Sequence, residues 1–254
     1  MHKQMQTSIT EGSDIKTRVL NRDVIKYIAI VAMTLNHFAE VFMKPGTLLY
    51  ESLTDIGYMT AIIMCYFLAD GYHYTHSKDR YCRRLLIFAA ISQIPFNLAL
   101  GVFSLNILFT LLICFAIIWV IENVSGSTQR NLFVTGLTVL SVIGDWGIFA
   151  AIFTIIFERR RGNKGQYQIL ISFCYCALVF GLFEYLNLSG NYGYIAAVPH
   201  VIFETLPLVA AGLMMEFLYN GRKSDRNQTF NKWFFYVYYP THLLVLAGIK
   251  ALMG

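Results

Sequence analysis

Apolar residues run in long blocks along this chain, separated by short polar breaks. From Val24 onward the blocks cover roughly residues 24–43, 53–72, 85–103, 105–122, 131–144, 146–157, 167–186, 194–219 and 233–253. Blocks of about 18 or more apolar residues suit the hydrocarbon core of a bilayer, where a backbone must satisfy its own hydrogen bonds and does so as a helix. The strict polar and apolar alternation of a membrane barrel is missing. The pattern therefore predicts an all-α polytopic membrane protein, a bundle of about nine transmembrane helices forming a single domain over residues 24–254. Blocks five and six are short for a span of about 20 residues, so they are expected to tilt, to meet as a helical hairpin or to dip in without crossing. Residues 1–23 are hydrophilic, lack the apolar core of a signal peptide, and read as a cytosolic tail.

Composition agrees with that pattern and excludes a water-soluble domain. Hydrophobic residues make up 56%, charged residues 14%, and mean hydropathy is +0.53, against about 25% charged in soluble domains. A formal charge of +5 becomes informative once it is divided by side. The tail and the start of the first block, the 73–84 loop, the 123–130 loop, the E-R-R-R-G-N-K-G loop and the 220–232 loop hold eighteen of the twenty Lys and Arg residues. Only Lys44 and Lys250 lie on the alternate side. By the positive-inside rule the N-terminus is cytosolic and the C-terminus outside. The basic residues thus orient the chain, and no nucleic-acid partner is expected. Cys65, Cys82, Cys114, Cys174 and Cys176 form no disulfide framework and read as reduced thiols.

An ionisable or strongly polar side chain at membrane depth is costly unless it faces a partner or a water-filled cavity, so each is a functional candidate. At about 1.5 Å per residue, His37 lies roughly 20 Å along the first helix, with Asn36 before it and Glu40 one turn outward. Gln93 and Asn97 on the third helix, Asn106 and Thr110 opening the fourth, and His242 on the ninth fall at overlapping depths. Together they suggest a cavity just outside the midplane. An imidazole can accept a proton from an attacking nucleophile, which favours a catalytic His37. For the amides the plain alternative is helix-to-helix hydrogen bonding, worth about 1 kcal/mol each. His242 follows Pro240, which frees a backbone carbonyl that a ring N–H could satisfy. Asp145, in the G-D-W-G turn, either orients a substrate amine or caps the sixth helix.

A second cluster lies at the cytosolic mouth in F-L-A-D-G-Y-H-Y-T-H-S-K-D-R-Y-C-R-R. Lys78, Arg80, Arg83 and Arg84 beside a helix start, with Tyr72 nearby, suit the phosphates of a soluble cofactor. The same cations also suit anionic lipid or topology alone. His73 and His76 are three residues apart, but no third ligand is visible and no metal is expected.

In order and spacing, the fragments I-K-Y-I-A-I-V-A-M-T-L-N-H, G-Y-H-Y-T-H-S-K-D-R-Y-C-R-R-L-L-I-F-A-A-I-S-Q-I-P-F-N-L, L-N-I-L-F-T-L-L, G-D-W-G and Y-Y-P-T-H-L resemble the TraX family over about 220 residues. That family is named for the acetylase that modifies the N-terminus of conjugative pilin. The resemblance implies acetyl transfer from cytosolic acetyl-CoA to an amine or hydroxyl acceptor. On that reading His37 is the base, supported by Asn36 and Asp145. Asn97, Asn106, Gln93 and His242 meet the acceptor or the oxyanion, and Lys78, Arg80, Arg83, Arg84 and Tyr72 hold acetyl-CoA. One departure concerns the base: in the family the first-helix histidine often follows an aspartate, and here position 36 is Asn. Either Glu40 or Asp145 supplies the missing charge, or the base is weaker or the activity altered. A proton-coupled transporter using His37, Glu40 and Asp70 is the rival reading, although the paired broken helices of transporter repeats are not evident. A non-catalytic assembly factor is the other.

Overall fold

A computed structural model describes residues 18–224 and 227–253; most of the predicted cytosolic tail lies outside the described residues. Among those residues there are nine α-helices: α1 Arg22–Phe42, α2 Leu48–Tyr74, α3 Lys78–Leu100, α4 Ile107–Asn123, α5 Ser127–Leu140, α6 Gly147–Arg160, α7 Gln168–Tyr192, α8 Tyr194–Phe217 and α9 Gln228–Met253. A single 3-10 turn, Ser141–Ile143, follows α5. The helices α1, α2, α7 and α8 are long and apolar enough to cross a membrane, and α4 is a shorter apolar helix. Helix starts are set by short polar side chains that accept otherwise orphaned backbone N–H groups. Asn21 caps α1, Thr47 caps α2, Ser77 caps α3 and Asn106 caps α4. Helix α3 begins seven residues before the apolar block, so Lys78, Arg80, Arg83 and Arg84 stand on its first two turns and not in a loop.

Helix α2 is the centre of the bundle. From Thr60 to Ala69 its residues are buried or half-buried on every side, the pattern of a helix surrounded by others. It packs antiparallel to α1, pinned by Asn36 Nδ2 donating to Thr54 O at 2.9 Å and Thr60 Oγ1 donating to Ala29 O at 2.7 Å. The two backbones meet closely because a Cβ on Gly57 would overlap the Asn36 side chain. Helices α7 and α8 form a second antiparallel pair, with Gly181 against Thr205 and Gly212 against Phe173. Helix α3 runs parallel to α9, with Phe96 and Ala99 packed on Tyr239, Leu243 and Leu246. Lys250 near the end of α9 donates to Ala99 O at 3.0 Å. Outward-facing Ile94, Leu132, Leu178, Ile195 and Phe203 are exposed, as lipid-facing side chains would be.

The short fifth and sixth segments form a helical hairpin. Helices α5 and α6 have 14 residues each, about 21 Å of rise. Their turn does not reach the level of the longer helices' ends: Trp146 stacks edge-on against Tyr58 at 5.1 Å, and Tyr58 lies about 15 Å along α2 from Leu48. There the turn pairs with the other non-helical stretch at this depth, the α3–α4 connection. Leu105 N donates to Ile143 O at 3.0 Å and Asp145 N to Leu105 O at 2.7 Å. Two irregular segments thus satisfy each other's backbone inside the bundle, as non-helical chain away from water must. Gly144 and Gly147 allow it, because a Cβ on the first would overlap Thr110 Oγ1 and on the second would meet Ser141 O at 2.6 Å.

Candidate functional site

A cavity of about 290 Å³ lies between α1, α2, α4, α7, α9 and the α5–α6 turn. His37 of α1 lines it, held on its far side from the lumen by His242 of α9. His37 Nδ1 and His242 Nε2 are 2.8 Å apart, with ring planes within 4° of each other. His242 Nδ1 in turn lies 3.1 Å from Tyr238 O. A carbonyl only accepts, so His242 carries its proton on Nδ1, and in the neutral ring Nε2 is a lone pair. His37 Nδ1–H donates to it, which leaves the unprotonated Nε2 of His37 without a hydrogen-bond partner among the described residues. The network therefore assigns the tautomer that a general base needs.

The residues expected around His37 divide into those the fold brings there and those it does not. Asn36 and Asp145 both line the cavity. The Asn36 amide N–H is engaged by Thr54 O, however, so the partner that orients the imidazole is His242 and not the preceding residue. No side-chain hydrogen bond caps α6. Asp145 is held through its backbone, with its carbonyl accepting from Thr110 Oγ1 at 2.8 Å. Glu40 and Glu184 join it on the cavity wall, and Tyr58 stands among these carboxylates together with Asp55 and Glu204.

Gln93, Asn97 and Asn106 do come together, but behind the wall and not on it. Gln93 Nε2 donates to Asn97 Oδ1 at 2.6 Å and to Ser104 O at 2.8 Å. Asn106 Nδ2 donates to Ala89 O at 2.8 Å and Gln93 Oε1 at 2.9 Å, while its own Oδ1 accepts from Leu108 N. Asn106 is fully buried, and both its donor hydrogens are engaged. The three amides tie the α3–α4 connection in place and leave the cavity without their N–H groups. A donor that the sequence reading missed is Tyr239, which does line the cavity. Its ring lies 6.4 Å from that of His37. Its hydroxyl is buried without a hydrogen-bond partner among the described residues, close to the Ile107 backbone. The signal was present in Y-Y-P-T-H, since Tyr239 is three residues before His242 and shares its face of the helix.

The basic cluster is at the end of the bundle where α1 begins. Arg80 and Arg83 are exposed. Lys78 Nζ sits 4.2 Å over the ring of Tyr72, whose own hydroxyl is buried. Arg84 leans over Tyr81 and has a buried Nε; neither atom has a hydrogen-bond partner among the described residues, and Arg84 with Arg80 also faces Lys232 of α9. His242 is ten residues beyond Lys232, about 15 Å along the same helix. Between those levels the cavity reaches down to Met64 and Phe235, and Lys26 Nζ lies 5.0 Å over the Phe235 ring. Asp70 pairs with Arg22 at 3.5 Å, and Arg22 also donates to Phe67 O at 2.8 Å. Gly71 is approached closely by that guanidinium together with Tyr81. All five cysteines are free.

Comparison with known proteins places the whole of this architecture in one family. The family model described as TraX protein matches residues 21–250. The chain belongs to the TraX family. A relative within reach of the same comparison is the "Probable fimbrial assembly protein FimC, serogroup H1" of Dichelobacter nodosus, 27% identical over 243 residues that cover 89% of this chain and 94% of the relative. No solved structure matches the chain. The TraX match runs from the cap of α1 into the last turns of α9, so both histidines of the pair, the amide network and the basic cluster lie within it.

Proposed function

We propose that this chain is an integral membrane acetyltransferase that moves acetyl from cytosolic acetyl-CoA to an amine acceptor, with the N-terminus cytosolic and the C-terminus outside in a bacterial inner membrane. The observation that carries the reading is the His37–His242 pair, which presents an unprotonated imidazole nitrogen to a cavity lined by carboxylates. The nucleotide of acetyl-CoA docks on Lys78, Arg80, Arg83 and Arg84 beside Tyr72, and its thioester arm reaches up past Phe235. Glu40, Asp145 and Glu184 favour an acceptor that arrives as an ammonium over a neutral hydroxyl, and one of these carboxylates takes its first proton, leaving the neutral amine that attacks. As the amine nitrogen attacks the thioester carbonyl, His37 Nε2 takes its proton and His242 stabilises the resulting imidazolium through the shared hydrogen bond. The Tyr239 hydroxyl donates to the oxyanion, a contact of a kind worth about 3 kcal/mol in other enzymes. When the tetrahedral adduct collapses, the C–S bond breaks and the thiolate recovers the proton from His37, giving an amide and free CoA.

The family assignment, together with the fimbrial assembly role named for the relative, supports a surface-appendage subunit as the source of the amine. The test is transfer of labelled acetyl from acetyl-CoA in proteoliposomes, beside calorimetric binding of acetyl-CoA to the purified protein. Transfer should fall by at least about 100-fold in His37→Ala, and binding should weaken in Arg83→Ala plus Arg84→Ala. Wild-type transfer by His37→Ala, or no acetyl-CoA binding by the wild type, overturns the reading.

A further inference from the structure

We propose that His73, Glu122 and Glu158 form a binding site for a divalent metal ion of the zinc and manganese class, separate from the His37 cavity. The three residues come from the ends of α2, α4 and α6, at the same end of the bundle as the basic cluster. One donor atom from each lies within 4.8 Å of the other two. His73 Nε2 is 2.7 Å from Glu158 Oε1. A simple ion pair would explain that contact alone, but two further facts point to a ligand.

The first is Glu158 itself. Its side chain is only 4% exposed, yet Oε2 is buried without a hydrogen-bond partner among the described residues. An orphaned carboxylate oxygen costs a few kcal/mol, and a cation in front of the cluster removes that cost. The second is Glu122, an exposed side chain free to turn toward solvent that nevertheless stands beside a second carboxylate. Two like charges at that separation repel unless a proton or a cation lies between them. Arg161 acts on Glu158 from the next turn but is itself exposed.

One imidazole and two carboxylates make a hard-to-borderline donor set, which suits Zn²⁺ or Mn²⁺ and not the soft ions that prefer thiolates. With metal–ligand distances of about 2.0–2.2 Å, the donors need to close by roughly an ångström, within the side-chain reach of the exposed Glu122. The exposed side leaves a fourth position for water. His76 is exposed and outside the cluster, so both other ligands come through the fold, from helices that the sequence places far from His73. The ion would clamp the base of the α5–α6 hairpin, through α6, to α2 and α4. Its effect is on the stability of the bundle and not on the chemistry at His37.

The test uses the full chain in detergent, free of any histidine tag and stripped with chelator. Zn²⁺ or Mn²⁺ is titrated while bound metal is measured by elemental analysis and unfolding by a thermal scan. One ion per chain and a rise in Tm that chelator reverses are expected, as for any ligand that binds only the folded state. Glu122→Gln, on an exposed side chain that folding does not need, should weaken binding by at least about 10-fold. Glu158→Gln should abolish it, and His76→Ala should leave it unchanged. Binding no tighter in the wild type than in Glu122→Gln, or no stoichiometric metal and no shift in Tm, overturns the proposal.

Discussion

His37 and His242 stand 205 positions apart in the chain, yet their ring nitrogens lie 2.8 Å from each other in nearly parallel planes. The pair joins the first helix to the last. Because Tyr238 O takes the other nitrogen of His242, the proton order along the chain of bonds runs one way only, from His242 Nδ1–H to an open nitrogen on His37.

The first prediction concerns that order. In His242→Phe the His37 ring loses its acceptor and its tautomer is no longer held, so turnover should drop by about 100-fold while acetyl-CoA affinity stays near wild type. In His242→Gln a carbonyl oxygen can still accept from His37 Nδ1–H, and part of the rate should return. Acetyl transfer rates beside acetyl-CoA calorimetry separate the two effects; equal rates for Phe and Gln would show that the pair only packs.

Tyr239→Phe removes a buried hydroxyl that has no hydrogen-bond partner among the described residues. Deleting an unsatisfied polar group should leave the protein as stable as before or slightly more so. If the hydroxyl serves the oxyanion, the transfer rate should fall by about 10- to 100-fold at unchanged Tm. An unaltered rate excludes it from the reaction.

Asn106→Leu should act in the opposite way. It removes the cap of α4 and the side-chain donor to Ala89 O and Gln93 Oε1, while the backbone N–H of residue 106 still reaches Gln93 Oε1. The expected cost is about 1–3 kcal/mol, from the cap and the two lost side-chain hydrogen bonds together. Tm should fall sharply. Any loss of rate should track the folded fraction, and a fully folded Asn106→Leu protein with a selective defect in kcat would return the amide to the chemistry.

Gly57→Val tests the α1–α2 contact. The new side chain would overlap Asn36 and push α1 outward, at a cost of about 1–3 kcal/mol. Because His37 follows Asn36 directly, the His37–His242 hydrogen bond should loosen as well. Reduced Tm together with reduced transfer is the expected outcome, with Gly57→Ala the milder of the two.

Much of this protein is legible along the chain. The apolar blocks located nine helices among the described residues, with ends that differ by up to seven residues, since an apolar segment must close its own backbone hydrogen bonds whatever surrounds it. The rarity of ionisable groups at depth drew attention to His37 and His242, because their cost demands a reason wherever they lie. The shortness of the fifth and sixth blocks left a tilt, a hairpin or a partial dip open, and the hairpin is the one the fold adopts. Which polar group faces which was not legible. Asn106, Gln93 and Asn97 have the depth of a site, yet they bond one another behind its wall. Tyr239 looks like one more aromatic in an aromatic helix, yet it lines the cavity beside His37. Glu158 and Glu122 look like solvated loop charges, yet they converge on His73.

Helical rise converts a residue number into a depth, and so the sequence by itself determined the helices, the level of the candidate site and the end that carries the basic cluster. Rotation of each helix and the choice of its neighbours depend on side chains meeting across the bundle, at Gly57 against Asn36, at the paired turns around Leu105 and Asp145, and at Phe96 against Tyr239. Only those contacts decided that His242 is the partner of His37. Depth is a property of one helix, whereas a hydrogen bond between two helices exists only after both have been turned to face each other.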